Sequence, residues 1–383
     1  WVVFEAVLEP TPEPKRSIAI ACGDCWERWN PWTAACGGIG GSETAVIEMA
    51  RRLVALGHDV TVYGDTSREG EGIFRGVKYV HHDRLAFAPP VDVLVAWRNA
   101  ALLTTVQARV KMLWVHDIYA VNASNGVLLQ ADVIMGLSRW HVNVLRAAHA
   151  LSVDHTAITF NGVDTARFAV PPPPRDKHRA IYSSSPDRGL DVLLDLWPRI
   201  REAVPDATLG IYYGFEGYRR VHPAHADQIE AQARALAPMG VELHGRVDQQ
   251  TLAQAMMGAG ALLYPTWFSE TYAITAAEAQ CAGLRIVTSK IAALVETVRQ
   301  GVLVDGDGRS PEYRELFLKY AIEALLDEVP IDREALMARS AATFDWSIVA
   351  KDWDAEFERL LSTPPHLRFP SYCPSRDFVR PMP

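Results

Sequence analysis

Apolar and polar positions change period along this chain. SIAIAC (17–22) and VTVYG (60–64) are short apolar runs, and the stretch 43–56 between them repeats its apolar residues every three or four positions. Ala45, Val46, Met49, Ala50, Leu53 and Val54 fall on one helical face, with Ser42 as the expected N-cap and Gly57 as the stop. Strand, helix and strand in that order predict the βαβ unit of a parallel sheet. DVLVAW (92–97), KMLWVH (111–116), VIMGLS (133–138) and TAITF (156–160) continue the pattern. Most of these strands are apolar throughout, so both faces of the sheet should be covered.

Pro171 to Pro174 form a stiff run that neither a helix nor a central strand tolerates. The alternation then restarts with strands at 180–185, 207–214, 241–245, 261–266, 285–289 and 301–306, and a helix at 190–204. Trp346, Val349, Trp353, Phe357, Leu360 and Leu361 predict a terminal helix. The organisation expected is an extension (1–16), a first α/β domain (17–170), a proline-rich linker (171–178), a second α/β domain (179–344), a helix (345–362) and an irregular tail (363–383). A length of 383 residues fits two doubly wound domains, with the cleft between them as the default ligand site.

Composition narrows the function. With 49% hydrophobic and 22% charged residues the chain is an ordinary globular one, and 38 basic against 46 acidic residues give a net charge of −8. That balance disfavours binding nucleic acid through its phosphates. No apolar run approaches the roughly 20 residues that span a bilayer, so membrane contact is expected to be peripheral at most, at the inner face. Cys22, Cys25, Cys36, Cys281 and Cys373 are few and odd in number, which suits a reducing compartment, and the cytoplasm is the expected location. The chain begins with Trp1, which leaves its true N-terminus open.

Two segments carry candidate chemistry. Gly37-Gly38-Ile39-Gly40-Gly41-Ser42-Glu43 joins the first strand to the first predicted helix, where backbone amides can approach an anion. Its spacing is not the dinucleotide fingerprint; Asp65, after the next strand, keeps an NAD enzyme as a weak rival. The second is Glu270-x7-Glu278 at the carboxyl end of strand 261–266. If that segment is largely helical, its carboxylates stand about 12 Å apart. That is too far for the acid–base pair of a glycosidase, about 5 to 9.5 Å, but suits two ends of one long ligand.

Other patterns read more plainly. Cys22-x2-Cys25 with Cys36 lacks a fourth zinc ligand at standard spacing. Asp305-x-Asp307 and Asp352-x-Asp354 read as surface features, not metal motifs. Trp26, Trp29 and Trp32 either pack over the sheet or form an aromatic acceptor platform, and both readings stay open.

The order and spacing of GGIGGSE, WVHD (114–117), FNGVD (160–164), RGLDVLL (188–194), HGRV (244–247), Glu270-x7-Glu278 with Ala282-Gly283, and Glu296-Thr297-Val298 resemble the family 4 retaining glycosyltransferases over residues 17 to 362. SSSPDRGLDVLL and ETYAITAAEAQCAG are similar to a bacterial branch of that family. The resemblance implies the GT-B fold: two Rossmann-like domains facing across a cleft, with the terminal helix crossing back to the first.

It also implies roles. Glu270 would bind the donor sugar's hydroxyls, Glu278 the ribose, and the amides of Thr271, Tyr272 and Ala273 the sugar and diphosphate. Arg188 stands where the family has a phosphate-binding lysine, and Ser183 where it has an arginine, so one of two clamps is missing. Gly40 and Gly41 amides, or another basic residue, would compensate. His116 would contact the donor sugar, and the backbone of Arg246 and Val247 would lie beside the nucleobase. Asp117 is read as a capping or orienting group. Trp29, Trp32 and Glu43 are candidates for the acceptor side.

The reaction implied is metal-independent transfer of a sugar from a UDP- or GDP-sugar to a hydroxyl acceptor (glycan, lipid-linked or protein glycan), with no cofactor. A nucleotide-sugar 2-epimerase and a non-catalytic nucleotide-sugar-binding protein are the rivals.

Overall fold

The computed structural model describes residues 15–368 apart from Trp26 and residues 67–69. All but the last two residues of the extension, most of the tail, Trp26 and Cys373 therefore lie outside the described residues. The first half contains β1 (Ser17–Ala21), α1 (Pro31–Gly37), α2 (Gly41–Ala55), β2 (Asp59–Gly64), β3 (Gly72–Phe74) and β4 (Val77–His81). It continues with β5 (Val91–Trp97), β6 (Ala108–Trp114), α3 (Asn125–Leu128), β7 (Val133–Gly136), α4 (Arg139–His149) and β8 (Thr156–Ile158). These strands form one sheet in the order β3-β4-β2-β1-β5-β6-β7-β8, parallel except for the edge strand β3.

The second half runs β9 (Asp176–Tyr182), α5 (Leu190–Ala203), β10 (Thr208–Ile211), α6 (Glu216–Val221), α7 (Pro223–Ala235), β11 (Val241–Leu243) and α8 (Gln249–Gly258). Then come β12 (Ala259–Tyr264), α9 (Ile274–Cys281), β13 (Arg285–Ser289), α10 (Leu294–Thr297), β14 (Val302–Val304) and α11 (Pro311–Leu325). Two helices close the described chain, α12 (Arg333–Phe344) and α13 (Trp346–Ser362). The second sheet is ordered β11-β10-β9-β12-β13-β14, all parallel. In each sheet the order reverses beside the first strand, the place where doubly wound sheets open a crevice at their carboxyl ends.

Several expected boundaries move. The second sheet begins at Asp176, inside the segment expected as linker. Helix α2 begins at Gly41 with Gly40 as its N-cap and no side chain capping it, so Ser42 lies inside the helix. Gly57 takes a left-handed conformation just after Leu56, as its role as a stop requires. Helix α1 was not expected; Asn30 starts it with a reciprocal capping box to Thr33, and Pro31 follows at its first turn.

Helix α13 returns from the second domain to the first. Trp346 and Trp353 are fully buried; Trp353 meets Trp114 edge-on at 4.8 Å and donates its indole N–H to Thr159 at 2.8 Å. Asp354 pairs with Arg16 at 2.9 Å and His58 at 3.0 Å, so it fastens this helix to the first sheet and is not the surface feature expected. Among the described residues no helix is long and apolar enough to cross a membrane.

Candidate active site

The cleft between the sheets has a volume of about 350 Å³, within the usual range for a small-molecule site. It is lined from the first domain by Gly38 to Thr44, His116 and Asn161, and from the second by Ser183–Ser185, Arg188, Arg246, Val247, Tyr264, Glu270–Thr275 and Glu278. The lining includes His116, Arg188, Glu270, Glu278 and the other donor-side residues expected from the sequence.

Three helices start at this cleft without a side-chain cap: α2 after Gly40, α5 after Gly189 and α9 after Ala273. The first residues of α2 and α9 belong to the lining, and α5 begins two residues after Arg188, so free amides and positive dipole ends at these starts favour an anionic ligand. Ala273 holds φ at 66°, a strained conformation for a residue with a β carbon. Gly189 has φ 97° and packs so closely on the Pro265 carbonyl that a β carbon would collide with it, which brings α5 and Arg188 against the end of β12. Gly38, with φ 70°, sits equally close to the Val247 carbonyl, so the glycine loop and the HGRV segment touch across the domains. The helix expected across Glu270 to Glu278 covers only the second half of that motif; Glu270 stands in the preceding loop.

Glu270 is held by two groups. Tyr264 donates its hydroxyl to Oε1 at 2.6 Å, and Arg188 Nη1 lies 3.5 Å from the same oxygen. The Arg188 guanidinium also stacks over Phe268, 3.2 Å from the ring centroid. Burial drives the Tyr264 hydroxyl far above its ordinary range, so it remains a donor. Glu278 has no comparable support: burial pushes its carboxyl up to about 7, opposed only by Arg167.

His116 follows β6 and is almost wholly buried against Trp97 and Trp114. Burial, then the nearby Arg98 and His141, hold its pKa well below 6.5, so the imidazole is neutral. Among the described residues neither ring nitrogen has a hydrogen-bond partner, nor do Asn161 Oδ1 and the Tyr272 hydroxyl; all four atoms belong to residues of the cleft wall. Buried polar atoms are rarely left unpaired, and their concentration here marks where ligand hydroxyls would be satisfied.

Ser183 does line the cleft and bonds to Thr275, so no guanidinium stands at its position. Arg246, expected to act through its backbone, places its side chain in the cleft wall as well, donating to Glu27 at 2.7 and 2.8 Å. Arg188 and Arg246 are the two basic side chains of the lining. Glu43 is buried, 3.6 Å from Arg98, and burial raises its carboxyl above the ordinary range. Asp117 orients instead of capping: it takes Nε and Nη2 of Arg98 at 2.7 and 2.6 Å.

Trp29 and Trp32 do not join the cleft. Trp29 is fully buried, edge-on to Trp97 at 6.5 Å, and Trp32 packs against Phe74 at 5.1 Å outside the lining. Asp65 is also absent from the lining, which removes the carboxylate that kept an NAD enzyme in view. Tyr264 and Glu27 were missed. Tyr264 sat in a strand read only for its apolar residues, although a tyrosine ending a strand before proline places a hydroxyl at the sheet's carboxyl edge.

Comparison with known proteins agrees with this geometry. A sequence model of the family described as "Glycosyl transferases group 1" matches residues 180–326. A phosphatidyl-myo-inositol mannosyltransferase of Mycobacterium tuberculosis is 30% identical over 202 residues, covering 50% of each chain, so this chain spans about half the length of that relative. A glycogen synthase of the same species is 30% identical over 329 residues, 83% of this chain and 73% of that one. Among solved structures, sucrose-phosphate synthase from Thermosynechococcus elongatus superposes with a TM-score of 0.68 at 15% identity, over 91% of this chain and 100% of that one. On the breadth of these similarities, the chain belongs to the group 1 glycosyltransferases and has the GT-B fold.

Proposed function

We propose that the protein transfers a sugar, with retention, from a nucleoside-diphosphate donor of the UDP or GDP type to a hydroxyl acceptor. The carrying observation is the convergence of Arg188, Glu270 and three uncapped helix N-termini on one interdomain cleft. An extended donor would lie with its sugar at Glu270 and His116, its diphosphate at Arg188 and the amides of Thr271 to Ala273, its ribose at Glu278, and its base beside Arg246 and Val247. Neutral His116 can both donate to and accept from a sugar hydroxyl. The bond from the anomeric carbon to the phosphate oxygen breaks, the acceptor oxygen bonds to that carbon, and the departing phosphate takes the acceptor proton. Charge on that phosphate is what the transition state adds, so preorganised donors aimed at it should dominate the rate. Arg188 and the helix termini supply them, which is why no metal is proposed for the chemical step. Arg246 is the basic group available in place of the arginine absent at Ser183.

The names of the relatives point to polyol and glycan hydroxyls as the acceptor class. The test is incubation with UDP- and GDP-sugars and candidate acceptors, following free nucleoside diphosphate and the linked product. Release that depends on an acceptor supports transfer. An altered sugar with no acceptor would instead identify an epimerase, and donor binding without turnover under any pairing would mean an inert binding protein.

A further inference from the structure

We propose that Asp65, His81 and His82 form a binding site for one divalent transition-metal ion of the zinc class, outside the cleft and separate from the transfer chemistry. Strand pairing creates the site. Gly64, the last residue of β2, stands opposite His81, the last of β4, so Asp65 and His82 emerge side by side from neighbouring parallel strands. One donor atom from each of Asp65, His81 and His82 lies within 4.8 Å of the others. Tetrahedral zinc with bonds of about 2.0 to 2.1 Å brings its ligands to roughly 3.4 Å of one another, a small contraction from this arrangement.

The hydrogen bonding at His81 favours an ion. Its Nδ1 lies 3.0 Å from Asp83 Oδ1, the carboxylate-to-imidazole contact that orients a ligating histidine. Nδ1 also accepts from the Asp83 amide at 3.3 Å, and Nε2 lies 3.8 Å from Asp65 Oδ1, beyond hydrogen-bond reach. A metal ion seated between Nε2 and Oδ1 would accept a lone pair from each. Glu71 fixes the strand end by accepting from the His81 amide at 3.0 Å. Arg28, whose side chain is mostly exposed, lies 3.7 Å from Asp65 and would have to move aside. Two imidazoles and one carboxylate suit zinc and its neighbours better than magnesium or calcium, which prefer oxygen alone. The main-chain carbonyl of Asp65 also accepts from Trp29 N at 3.4 Å, so an ion here would steady the segment that carries Glu27 to Arg246.

The experiment is titration of the chelator-treated full chain with Co²⁺ and then Zn²⁺, in the wild type and in H82Q and D65N. One equivalent of Co²⁺ should bind per chain with visible absorption bands that Zn²⁺ abolishes. Zn²⁺ should raise Tm, and each substitution should weaken binding by about tenfold or more. Near-UV circular dichroism checks that the variants are folded. Binding equally tight in wild type, H82Q and D65N overturns the proposal. So does the absence of a one-equivalent cobalt complex in the wild type, whether or not the variants fold. Neither result bears on sugar transfer, which is measured separately.

Discussion

The hydroxyl of Tyr264 donates to Oε1 of Glu270 at 2.6 Å, from the end of a central strand to the loop that precedes α9. Because Arg188 approaches the same oxygen, one carboxylate is set by a neutral donor on one side and a cation on the other. Glu270→Ala should lower kcat/KM by about a hundredfold or more while leaving the far-ultraviolet spectrum unchanged. Tyr264→Phe, which frees the carboxylate without removing it, should cost about tenfold, or 1.4 kcal/mol. Near-normal transfer by Glu270→Ala would contradict its placement at the donor sugar.

Arg188 tests where the transition-state charge is met. Arg188→Ala should reduce kcat by about 10² to 10³, the usual effect of deleting one oxyanion donor. Arg188→Lys keeps the charge but not the planar fork and should recover part of the loss. Equal loss in both variants would show that stacking on Phe268, not charge, is what matters. Single-turnover kinetics with saturating donor separates this effect from binding.

On the proposed reading, Glu278 should make donor binding pH-dependent. Its folded-state pKa is raised from 4.5 to about 7, so between those values the folded chain holds a proton that the unfolded chain has lost. Stability from this group is present below about pH 4.5 and declines as pH rises through about 7. Glu278→Gln should therefore gain Tm relative to wild type at pH 8 and not at pH 4.5. Ribose hydroxyls prefer the ionised acceptor, so affinity for an intact nucleotide sugar should rise from pH 5.5 to 8 in wild type and stay flat in the variant. Calorimetry reads both, and an identical pH profile in the two proteins would refute the ribose assignment.

Closure of the two domains on a donor should depend on one contact between them. Glu296, from the second domain, accepts from the amides of Arg139 at 2.9 Å and Trp140 at 2.8 Å, the first two residues of helix α4 in the first. A carboxylate at a helix N-terminus gains from both hydrogen bonds and dipole. Losing two charge-assisted bonds weakens the closed state by about 1 to 3 kcal/mol. Glu296→Ala should therefore raise the donor KM by about 5 to 100-fold with a smaller change in kcat, and small-angle scattering should show a more open average. An unchanged KM would mean that closure does not depend on this latch.

Much of this was legible because it follows from local period. The strand–helix alternation, the proline break and the apolar face of α13 are patterns in single segments, and both sheets follow from them except for β3 and β4 at one edge, which were not expected. The cleft motifs were legible because glycines and carboxylates at the ends of apolar strands have few structural uses. What escaped depends on contacts distant in sequence. Arg246 meets Glu27 from 219 positions away, and Glu296 meets Trp140 from 156. Helix α1 escaped because it is only seven residues long, too short to show a helical repeat, and its start is set by the Asn30–Thr33 capping box.

Trp29 and Trp32 separate packing from recognition. Trp29 has no exposed surface: it lies against Trp97, closes over Gly64 and donates its indole N–H toward Cys25 Sγ at 3.4 Å. Trp29→Ala should cost about 3 to 5 kcal/mol of stability, the usual price of deleting a buried aromatic. Trp32 is 41% exposed and touches Phe74 by an edge contact, so Trp32→Ala should cost under about 1.5 kcal/mol. Neither ring lines the cleft, so Trp32→Ala should leave the acceptor KM within about twofold, and Trp29→Phe should lower the denaturation midpoint before it alters turnover. A selective rise in acceptor KM for Trp32→Ala, with slow donor hydrolysis unchanged, would instead extend the acceptor site beyond the cleft and onto α1.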